Sequence, residues 1–263
     1  MKIALIGNGA IAKLVTAFCA ARKDRFQIVG AIGLPENDKV SVGAHPLMYD
    51  YQQLLALKPE FVVECASHSA VESYAVPTLD LGLDLLVVSI GSLADEARWT
   101  KVSAAAARST AKLLLPPGAL PGIDALSAAK LAGLTRVSLR SAKPPKAWKG
   151  TPAEDEHNLD AIATATVIYS GNAREAALMF PKNANIAATT ALAGIGFEKT
   201  EIELVADPAV TQNVHRIQAE GVFGSMVTEI KANPSPDNPK TSHMAALSIM
   251  RILENRASAI VLG

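Results

Sequence analysis

The chain has 263 residues, 49% of them hydrophobic, and its 25 basic and 25 acidic side chains give a formal net charge of zero. This composition supplies a buried core and excludes an intrinsically disordered chain, and the lack of a basic excess argues against a nucleic-acid partner. No apolar run approaches the roughly 20 residues of a membrane span, and Cys19 and Cys65 have neither disulfide-framework nor metal-ligand spacing. Because no secretory cleavage pattern follows Met1, we expect a cytoplasmic globular protein without a metal, a membrane or a nucleic acid as partner.

The first half of the sequence alternates strand and helix patterns. Residues 2–6 form an apolar run that leads into a glycine loop and an amphipathic helix, and a second strand over 27–32 completes a βαβ unit. The same alternation continues through the predicted strands 61–65, 85–89 and 112–115 and the predicted helices 69–81 and 95–110. Strands that alternate with helices predict a doubly wound parallel sheet, so we expect an N-terminal Rossmann domain of the α/β class.

The pattern changes after residues 116–118. Residues 135–142 alternate apolar and polar side chains, as expected of a half-exposed strand. Beyond a loop rich in Lys and Pro, predicted helices at 158–166, 172–180 and 184–195 mix with predicted strands at 201–206, 214–219 and 226–231. The composition of 235–239 indicates a linker, and 242–257 is an apolar helix that we expect to pack on the first domain. We therefore predict a Rossmann domain of residues 1–117 and 238–263 and an α+β domain of residues 118–237.

The loop after the first strand has the spacing of a dinucleotide-binding turn. The first glycine permits the tight turn, the second lets the backbone approach a pyrophosphate, and Ala12 permits close packing of helix on strand. The predicted cofactor-binding residues of this loop are Gly7, Asn8, Gly9, Ala10 and Ile11. The second strand is not followed at once by an acidic or basic residue, since Glu36, Asp38 and Lys39 lie further on. The choice between NAD and NADP therefore stays open.

Five segments resemble, in the same order, motifs of the L-aspartate dehydrogenase family. They are residues 64–68 (ECASH), 118–126 (GALPGIDAL), 143–152 (KPPKAWKGTP), 180–185 (FPKNAN) and 238–242 (NPKTS), and the resemblance extends over essentially the whole chain. It implies NAD(P)-dependent oxidation of L-aspartate to iminoaspartate, which hydrolyses to oxaloacetate and ammonia or feeds NAD biosynthesis. It also implies a homodimer whose Rossmann domain is completed by the C-terminal helix.

The resemblance also assigns individual residues. The cofactor-contacting alanine of the family falls on Ala119, and its cofactor-contacting asparagine falls on Asn185. The family's catalytic histidine follows an Asp-Pro pair in an Asn-Val-His stretch, which matches His215 in this chain. Ser67 and Ser69 stand where the family usually has Gly and His, and residues 120–122 are stiffer than the usual Gly-rich segment. We expect these residues to lie at the cleft that binds cofactor and substrate, so their differences from the family leave the substrate preference open.

The expected chemistry explains why a histidine would be needed. Oxidation of an amino acid at Cα requires a neutral amine and a group that accepts the ammonium proton. Histidine, with an ordinary pKa of about 6.5, suits this task at neutral pH. His215 shares one face of its predicted strand with Asn213 and Ile217. A lone strand histidine is more often a surface or core residue, so its catalytic assignment depends on the family resemblance.

Aspartate has two carboxylates, so its site needs fixed positive charge or several N–H donors. Lys182 is the best-placed lysine, followed by Lys240, although a single lysine is by default a solvated surface charge. Lys240, Thr241 and Ser242 precede the last helix, whose N-terminus is a natural anion site; plain N-capping by Thr241 or Ser242 is the alternative. His68 follows a strand at the carboxyl edge of the sheet, where it either borders the nicotinamide or caps the loop.

Two other functions stay open at this point. One is a dehydrogenase or reductase of the same architecture that acts on another small amino acid or dicarboxylate, as relatives of dihydrodipicolinate reductase and homoserine dehydrogenase do. The other is a regulatory protein that binds NAD(P) without turnover, although such a sensor has no need for a proton acceptor at His215. The direction of the reaction is open as well, because amination of oxaloacetate and oxidation of aspartate use the same residues.

Overall fold

The computed structural model describes residues 1–33, 45–181, 183–235 and 238–262. The chain divides into two compact units, one of residues 1–116 and 246–263 and the other of residues 117–245. Residues 238–245, which the sequence assigns to the first domain, cluster with the second unit, because they include a strand that pairs there.

The first unit is built on a parallel sheet. Its strands are β1 (Lys2–Ile6), β2 (Gln27–Ile32), β3 (Leu47–Met48), β4 (Phe61–Glu64), β5 (Asp84–Val87) and β6 (Leu113–Leu114), and its helices are α1 (Ala10–Ala20), α2 (Tyr51–Ala56), α3 (His68–Asp80) and α4 (Glu96–Arg108). The strands lie in the order β3-β2-β1-β4-β5-β6 with parallel pairings throughout. The order reverses between β1 and β4, and ligands of such sheets bind at the carboxyl ends of the strands beside this point. This arrangement confirms the predicted Rossmann domain.

The second unit contains a mixed sheet. Its strands are β7 (Leu134–Lys143), β8 (Thr166–Asn172), β9 (Glu201–Ala206), β10 (Asn213–Gly221) and β11 (Gly224–Ala232), with a separate hairpin of β12 (Pro234–Ser235) and β13 (Asn238–Ser242), and its helices are α5 (Ile123–Ala132), α6 (Ala153–Glu156), α7 (Ala173–Met179) and α8 (Ala184–Ala193). In the order β11-β10-β7-β9-β8, β7 and β9 are parallel and the other neighbours are antiparallel. Strand β10 buries His215, Ile217 and Ala219 on one face and exposes the residues between them, so the predicted half-exposed sheet is confirmed.

The last helix, α9 (His243–Ala257), packs into the core of the first unit. Ile249 and Leu253 of this helix are fully buried in one apolar cluster with side chains of β1 and β4. The Arg256 guanidinium carbon lies 4.5 Å from the centre of the Phe61 ring, a cation–π contact that adds to this packing. The predicted return of the C-terminal helix to the Rossmann domain is therefore confirmed.

Two predictions of local structure are wrong. The helix predicted over 158–166 is replaced by one 3-10 turn, Leu159–Ala161, and the chain then enters β8 at Thr166. The β-branched and aromatic residues at the start of β8 favour an extended chain and pair with β9, which outweighs the helical spacing of the preceding apolar residues. The described residues of the linker predicted over 235–239 belong to strands: Ser235 ends β12, and residues 238 and 239 begin β13, which pairs with it. Pro234 occupies the first position of β12, where proline is tolerated.

Candidate active site

The loop between β1 and α1 contains the predicted cofactor-binding residues. Gly7 has a φ angle of +117°, and its N–H donates to the Ile32 carbonyl at 2.9 Å. A Cβ atom at Gly7 would lie 2.9 Å from the Cys65 carbonyl oxygen and 3.0 Å from the Ala66 Cβ. A side chain at this position would therefore collide with the end of β4, and glycine is required for the loop to approach that strand.

The start of α1 has the features of an anion-binding site. Gly9 precedes the helix, no described side chain caps its free N–H groups, and a Cβ atom on Gly9 would meet no described atom within 4 Å. Asn8 and Ala12 are fully buried, whereas Ala10 and Ile11 are half-buried. Open space above exposed N–H groups at the positive end of a helix fits the pyrophosphate of a dinucleotide. The loop present in this chain therefore fits the predicted cofactor.

The two glycines of this loop should respond differently to alanine. Gly7→Ala is expected to lower the free energy of unfolding by about 1–3 kcal/mol, because the left-handed backbone strains an L residue and the methyl group meets the β4 backbone. Gly9→Ala has room for its methyl group, so stability should be kept while NADH affinity falls about tenfold through loss of close approach to the pyrophosphate. Urea unfolding and NADH fluorescence titration of both variants measure these effects, and equal losses of stability in the two variants would contradict the assignment.

His68 is the first residue of α3 and is half-buried. The cap of this helix is Ser67, whose hydroxyl accepts a hydrogen bond from the Ala70 N–H at 3.2 Å and lies 2.8 Å from the Ser69 hydroxyl. The capping role that the sequence left open for His68 thus belongs to Ser67. Burial, followed by the positive charge of Arg98, lowers the pKa of His68, so its imidazole is neutral at pH 7.

Glu64, at the carboxyl end of β4, is a buried acid that sequence reasoning did not single out as a site residue. Its side chain is 1% exposed and accepts hydrogen bonds from the loops after β4 and β5. Burial raises the pKa of its carboxyl group, and the hydrogen bonds act in the opposite direction. Glu64 is the first residue of one of the five family motifs, but the sequence does not indicate whether an acidic residue after an apolar run is buried.

In the second unit, His215 lies on the buried face of β10 and is 3% exposed. It is paired across the sheet with Ser141 of β7, and the Ser141 Oγ lies 3.0 Å from the His215 Nδ1. This hydrogen bond orients the ring, so the nitrogen that would exchange a proton with a substrate is Nε2. Ser141 is fully buried and was not among the predicted site residues.

Lys143 ends β7 two residues after Ser141, on the same buried face of the sheet, and is 9% exposed. Its Nζ lies 5.1 Å from the centre of the Trp148 ring, and Trp148 donates its Nε1–H to the Val205 carbonyl at 3.1 Å. Burial, followed by the Lys143 charge, lowers the pKa of His215 to about 3. Sequence reasoning missed Lys143, although a lysine at an inward position of an alternating strand was a signal that could have found it.

The lowered pKa of His215 predicts a specific loss of stability in acid. In the unfolded chain this histidine binds a proton near its ordinary pKa of about 6.5, whereas in the folded chain it does so only near 3. Stability therefore falls as the pH drops from about 6.5 towards 3, by about 2 kcal/mol between pH 7 and pH 5 for this one group. Urea unfolding at both pH values should show that His215→Gln loses less stability on acidification than the wild type; equal losses would contradict the buried neutral state.

The residues assigned by resemblance to cofactor contacts lie in the second unit. Ala119 is buried in the turn after Gly118, and Asn185 is exposed as the second residue of α8. Asn183, one position before that helix, is 3% exposed, and its Oδ1 accepts no hydrogen bond from the described residues. The exposed Asn185 and the buried Asn183 both lie at the N-terminus of α8, where N–H groups face outward.

Some of the residues that the sequence predicts for substrate binding or cofactor choice lie outside what the structure describes. This holds for Lys182 and for the residues Glu36, Asp38 and Lys39 that bear on cofactor choice. Lys240 and Thr241 belong to β13, but their side chains are not among those described. Ser242 ends β13, and its hydroxyl is buried with no hydrogen-bond partner in the described part of the chain, as is the Nδ1 of His243 at the start of α9.

Two groups of candidate residues result, one in each unit. The first unit brings the glycine loop, Glu64 and His68 to the carboxyl edge of its parallel sheet. The second unit brings Ser141, Lys143 and His215 together on the buried face of its mixed sheet. The first group has the features of a dinucleotide site, and the second combines a neutral imidazole with a fixed positive charge.

The chain resembles known proteins along its length. The family model described as "Homoserine dehydrogenase, NAD binding domain" matches residues 7–116, and the model described as "Aspartate dehydrogenase, C-terminal" matches residues 124–256. The L-aspartate dehydrogenase of Ralstonia pickettii is 41% identical over 99% of both chains, and that of Polaromonas sp. is 40% identical over 100% of both. Among solved structures, the aspartate dehydrogenase of Thermotoga maritima matches with a TM-score of 0.79 and 28% identity, covering 100% of this chain and 99% of its own.

These matches confirm the family resemblance that the five motifs carried and the prediction of NAD or NADP as the cofactor. Within the described ranges, none of the helices combines the length and the apolar character required to traverse a bilayer. In the same ranges, no three His, Cys, Asp or Glu side chains are grouped so as to hold a metal ion.

Proposed function

This chain belongs to the L-aspartate dehydrogenase family, and on that premise we propose that it catalyses the NAD(P)-dependent oxidation of L-aspartate to iminoaspartate, which hydrolyses to oxaloacetate and ammonia. The observation that carries the proposal is the buried His215, hydrogen-bonded to Ser141 on the sheet face that also carries Lys143. A neutral imidazole beside a fixed positive charge suits the removal of a proton from the amine of a dicarboxylate.

In this proposal His215 is the general acid/base. Its imidazole is neutral at pH 7 and can accept a proton from the substrate ammonium group through Nε2. A base with a pKa of about 3 holds a proton poorly, but a substrate carboxylate beside Lys143 would offset the lysine charge and raise the pKa of His215 towards the working range. After that proton has passed to solvent, the neutral Nε2 can take a proton from the water that attacks the imine carbon.

Lys143 supplies the positive charge for one carboxylate of the substrate. It is buried on the same face as His215, so its charge acts with little screening by solvent. His68 and Ser242 are proposed as further substrate contacts. The buried Ser242 hydroxyl has no hydrogen-bond partner among the described residues, so an anion would satisfy it. The proposed contacts of Lys182, Lys240 and Thr241 follow from the sequence motifs.

The glycine loop is proposed to hold the cofactor, NAD or NADP. When bound, the nicotinamide ring accepts the hydride from the substrate Cα. Within residues 7–11, Gly7 makes the tight turn, residues 9–11 contribute backbone N–H groups at the start of α1, and Gly9 leaves the space for the pyrophosphate. Ala119 and Asn185, which the resemblance assigns to cofactor contacts, complete the proposed set.

We assign the protein as a cytoplasmic homodimer. Strand β11 is an edge of the second unit's sheet, and its Val227 is 53% exposed. Leu131 and Val222 are 90% and 82% exposed on neighbouring segments, joined by the Val222 N–H and the Gly133 carbonyl at 3.1 Å. Exposed apolar side chains on the edge strand β11 and on these segments support association with a second copy, and two buried free cysteines suit a reducing compartment. Sedimentation equilibrium should give twice the mass of one chain.

The reaction itself is tested by absorbance at 340 nm. The purified protein is mixed with L-aspartate and either NAD or NADP at neutral and alkaline pH. Growth of absorbance that depends on L-aspartate confirms the activity, and the ratio of the two rates gives the cofactor preference. If the absorbance stays constant with L-aspartate but grows with another amino acid, that amino acid is the substrate of the same reaction. Binding of NADH without turnover of any amino acid would indicate a sensor.

A further inference from the structure

Glu64 is a buried acid that the proposed reaction does not use. Its side chain is 1% exposed at the carboxyl end of β4, beside the point where the strand order of the parallel sheet reverses. Burial of a carboxylate costs free energy unless its lone pairs are satisfied, so an apolar residue would suit this buried strand better if packing were the only requirement.

Four hydrogen bonds from two loops converge on this carboxylate. Its Oε1 accepts from the N–H of Ala66 at 2.8 Å, the N–H of Ser67 at 3.0 Å and the Ser89 hydroxyl at 2.9 Å. Its Oε2 accepts from the Ser89 N–H at 3.0 Å. Ala66 and Ser67 follow β4, whereas Ser89 follows β5. One side chain therefore sets the position of two neighbouring loops at the carboxyl edge of the sheet.

The loop after β4 connects Glu64 to the proposed cofactor site. Ala66 packs on the glycine loop, since a Cβ at Gly7 would lie 3.0 Å from the Ala66 Cβ. Ser67 is held at its N–H by Glu64 and uses its hydroxyl to cap α3 immediately before His68. A change at Glu64 therefore shifts both the surface next to the glycine loop and the start of the helix that carries His68.

We propose that Glu64 is a positioning residue for the nicotinamide half of the cofactor, a role that rests on the proposed dehydrogenase function. In a sheet of this order the adenosine half lies over β1 and β2, and the nicotinamide half lies on the other side of the switch point, over β4 and β5. All four hydrogen bonds described for Glu64 go to loops on this second side. Its loss should therefore weaken contacts to the nicotinamide half while the adenosine half is still bound.

The Glu64→Gln variant tests binding of the nicotinamide half and of the adenosine half of the cofactor separately. With the Gln oxygen in place of Oε1, the amide NH₂ faces the Ser89 N–H, so the hydrogen bond from the Ser89 N–H is lost. The hydrogen bonds from the Ala66 N–H, the Ser67 N–H and the Ser89 hydroxyl are kept. We expect the dissociation constant of NADH to rise about tenfold. The dissociation constant of ADP-ribose, which lacks the nicotinamide, should stay within about twofold. Fluorescence titration for NADH and calorimetry for ADP-ribose measure the two constants.

Two further variants separate positioning from stability. Thr78→Val removes a fully buried hydroxyl that bonds to the Tyr74 carbonyl at 2.6 Å near the far end of α3, so it should lower the melting temperature without changing either affinity. Ser89→Ala removes one hydrogen-bond donor to Glu64 and should raise the dissociation constant of NADH by a smaller factor than Glu64→Gln does. This variant tests the proposal even if Glu64→Gln fails to fold.

The pattern of the two affinities decides the outcome. Equal weakening of NADH and ADP-ribose by Glu64→Gln, or no weakening of either in a folded variant, would show that Glu64 only stabilises the fold. If Glu64→Gln fails to fold, unchanged NADH affinity in Ser89→Ala would overturn the proposal. The wild-type protein tests the premise separately: failure to bind NADH would overturn the dehydrogenase proposal and the role of Glu64 with it.

Discussion

His215→Ala is expected to lower kcat for L-aspartate oxidation by about two to four orders of magnitude, the range for loss of a general acid/base. The imidazole is buried, neutral at pH 7 and oriented by Ser141, and alanine supplies neither a proton acceptor nor a partner for the serine hydroxyl. NADH affinity should stay within about twofold, because the glycine loop belongs to the other compact unit. Initial rates at 340 nm and NADH fluorescence titration measure the two quantities.

The matched control for this variant is His157→Ala. His157 follows α6 in the same unit and has no place on the buried face of the sheet, so its replacement should leave kcat within about twofold. Loss of less than tenfold in His215→Ala would remove His215 from the mechanism.

Lys143→Met is expected to lower kcat/KM for L-aspartate about a hundredfold, mainly through a higher KM. Methionine keeps the length and the apolar contact with Trp148 but removes the charge that is proposed to hold a substrate carboxylate. The same loss of charge should raise the pKa of His215, since Lys143 is one of the two causes that lower it. Steady-state kinetics over a range of aspartate concentrations, with NADH affinity as the internal reference, measure the effect.

Lys149→Met is the control for the loss of a lysine in this segment. Lys149 is exposed and pairs with Asp160 at 2.7 Å, and an exposed ion pair contributes little to stability. Its replacement should leave KM for L-aspartate unchanged. A similar rise in KM for both variants would mean that Lys143 acts through the general charge of the surface and not as a specific carboxylate partner.

Five strands of the parallel sheet were predicted closely because each one is a short apolar run followed by a turn signal, whereas the two-residue β3 (Leu47–Met48) was missed. The strands predicted at 2–6 and 27–32 agree with β1 and β2, and the spacing of Gly7 and Gly9 placed the start of α1. The helix predicted at 158–166 failed because its spacing was helical, while its last residue, Thr166, begins a strand that pairs with β9. Pairing with a distant strand leaves no periodic signal in the segment itself.

The candidate site residues divide in the same way, into those recognisable from neighbouring residues in the chain and those that depend on contacts between distant segments. The glycine loop was found because its residues are adjacent in the chain, and His215 was found because a family motif surrounds it. Lys143 begins one of the five family motifs, in a segment whose composition predicts a loop, and its burial beside Trp148 depends on the register of β7 in the sheet. Glu64 begins another of these motifs, but its role has no signal in the sequence, because the hydrogen bonds that it accepts from Ser89 arise only when β4 and β5 lie side by side.

The sequence by itself determined the fold class, the dinucleotide loop and the family, because apolar periodicity, glycine spacing and motif order are properties of neighbouring residues. Only the tertiary structure decided which polar groups meet. Ser141 and His215 are 74 positions apart, and the antiparallel pairing of β7 with β10 brings them to 3.0 Å. The burial that keeps His215 neutral and Glu64 enclosed is set by surrounding elements from distant parts of the chain, so the protonation states at these sites follow from the folded structure.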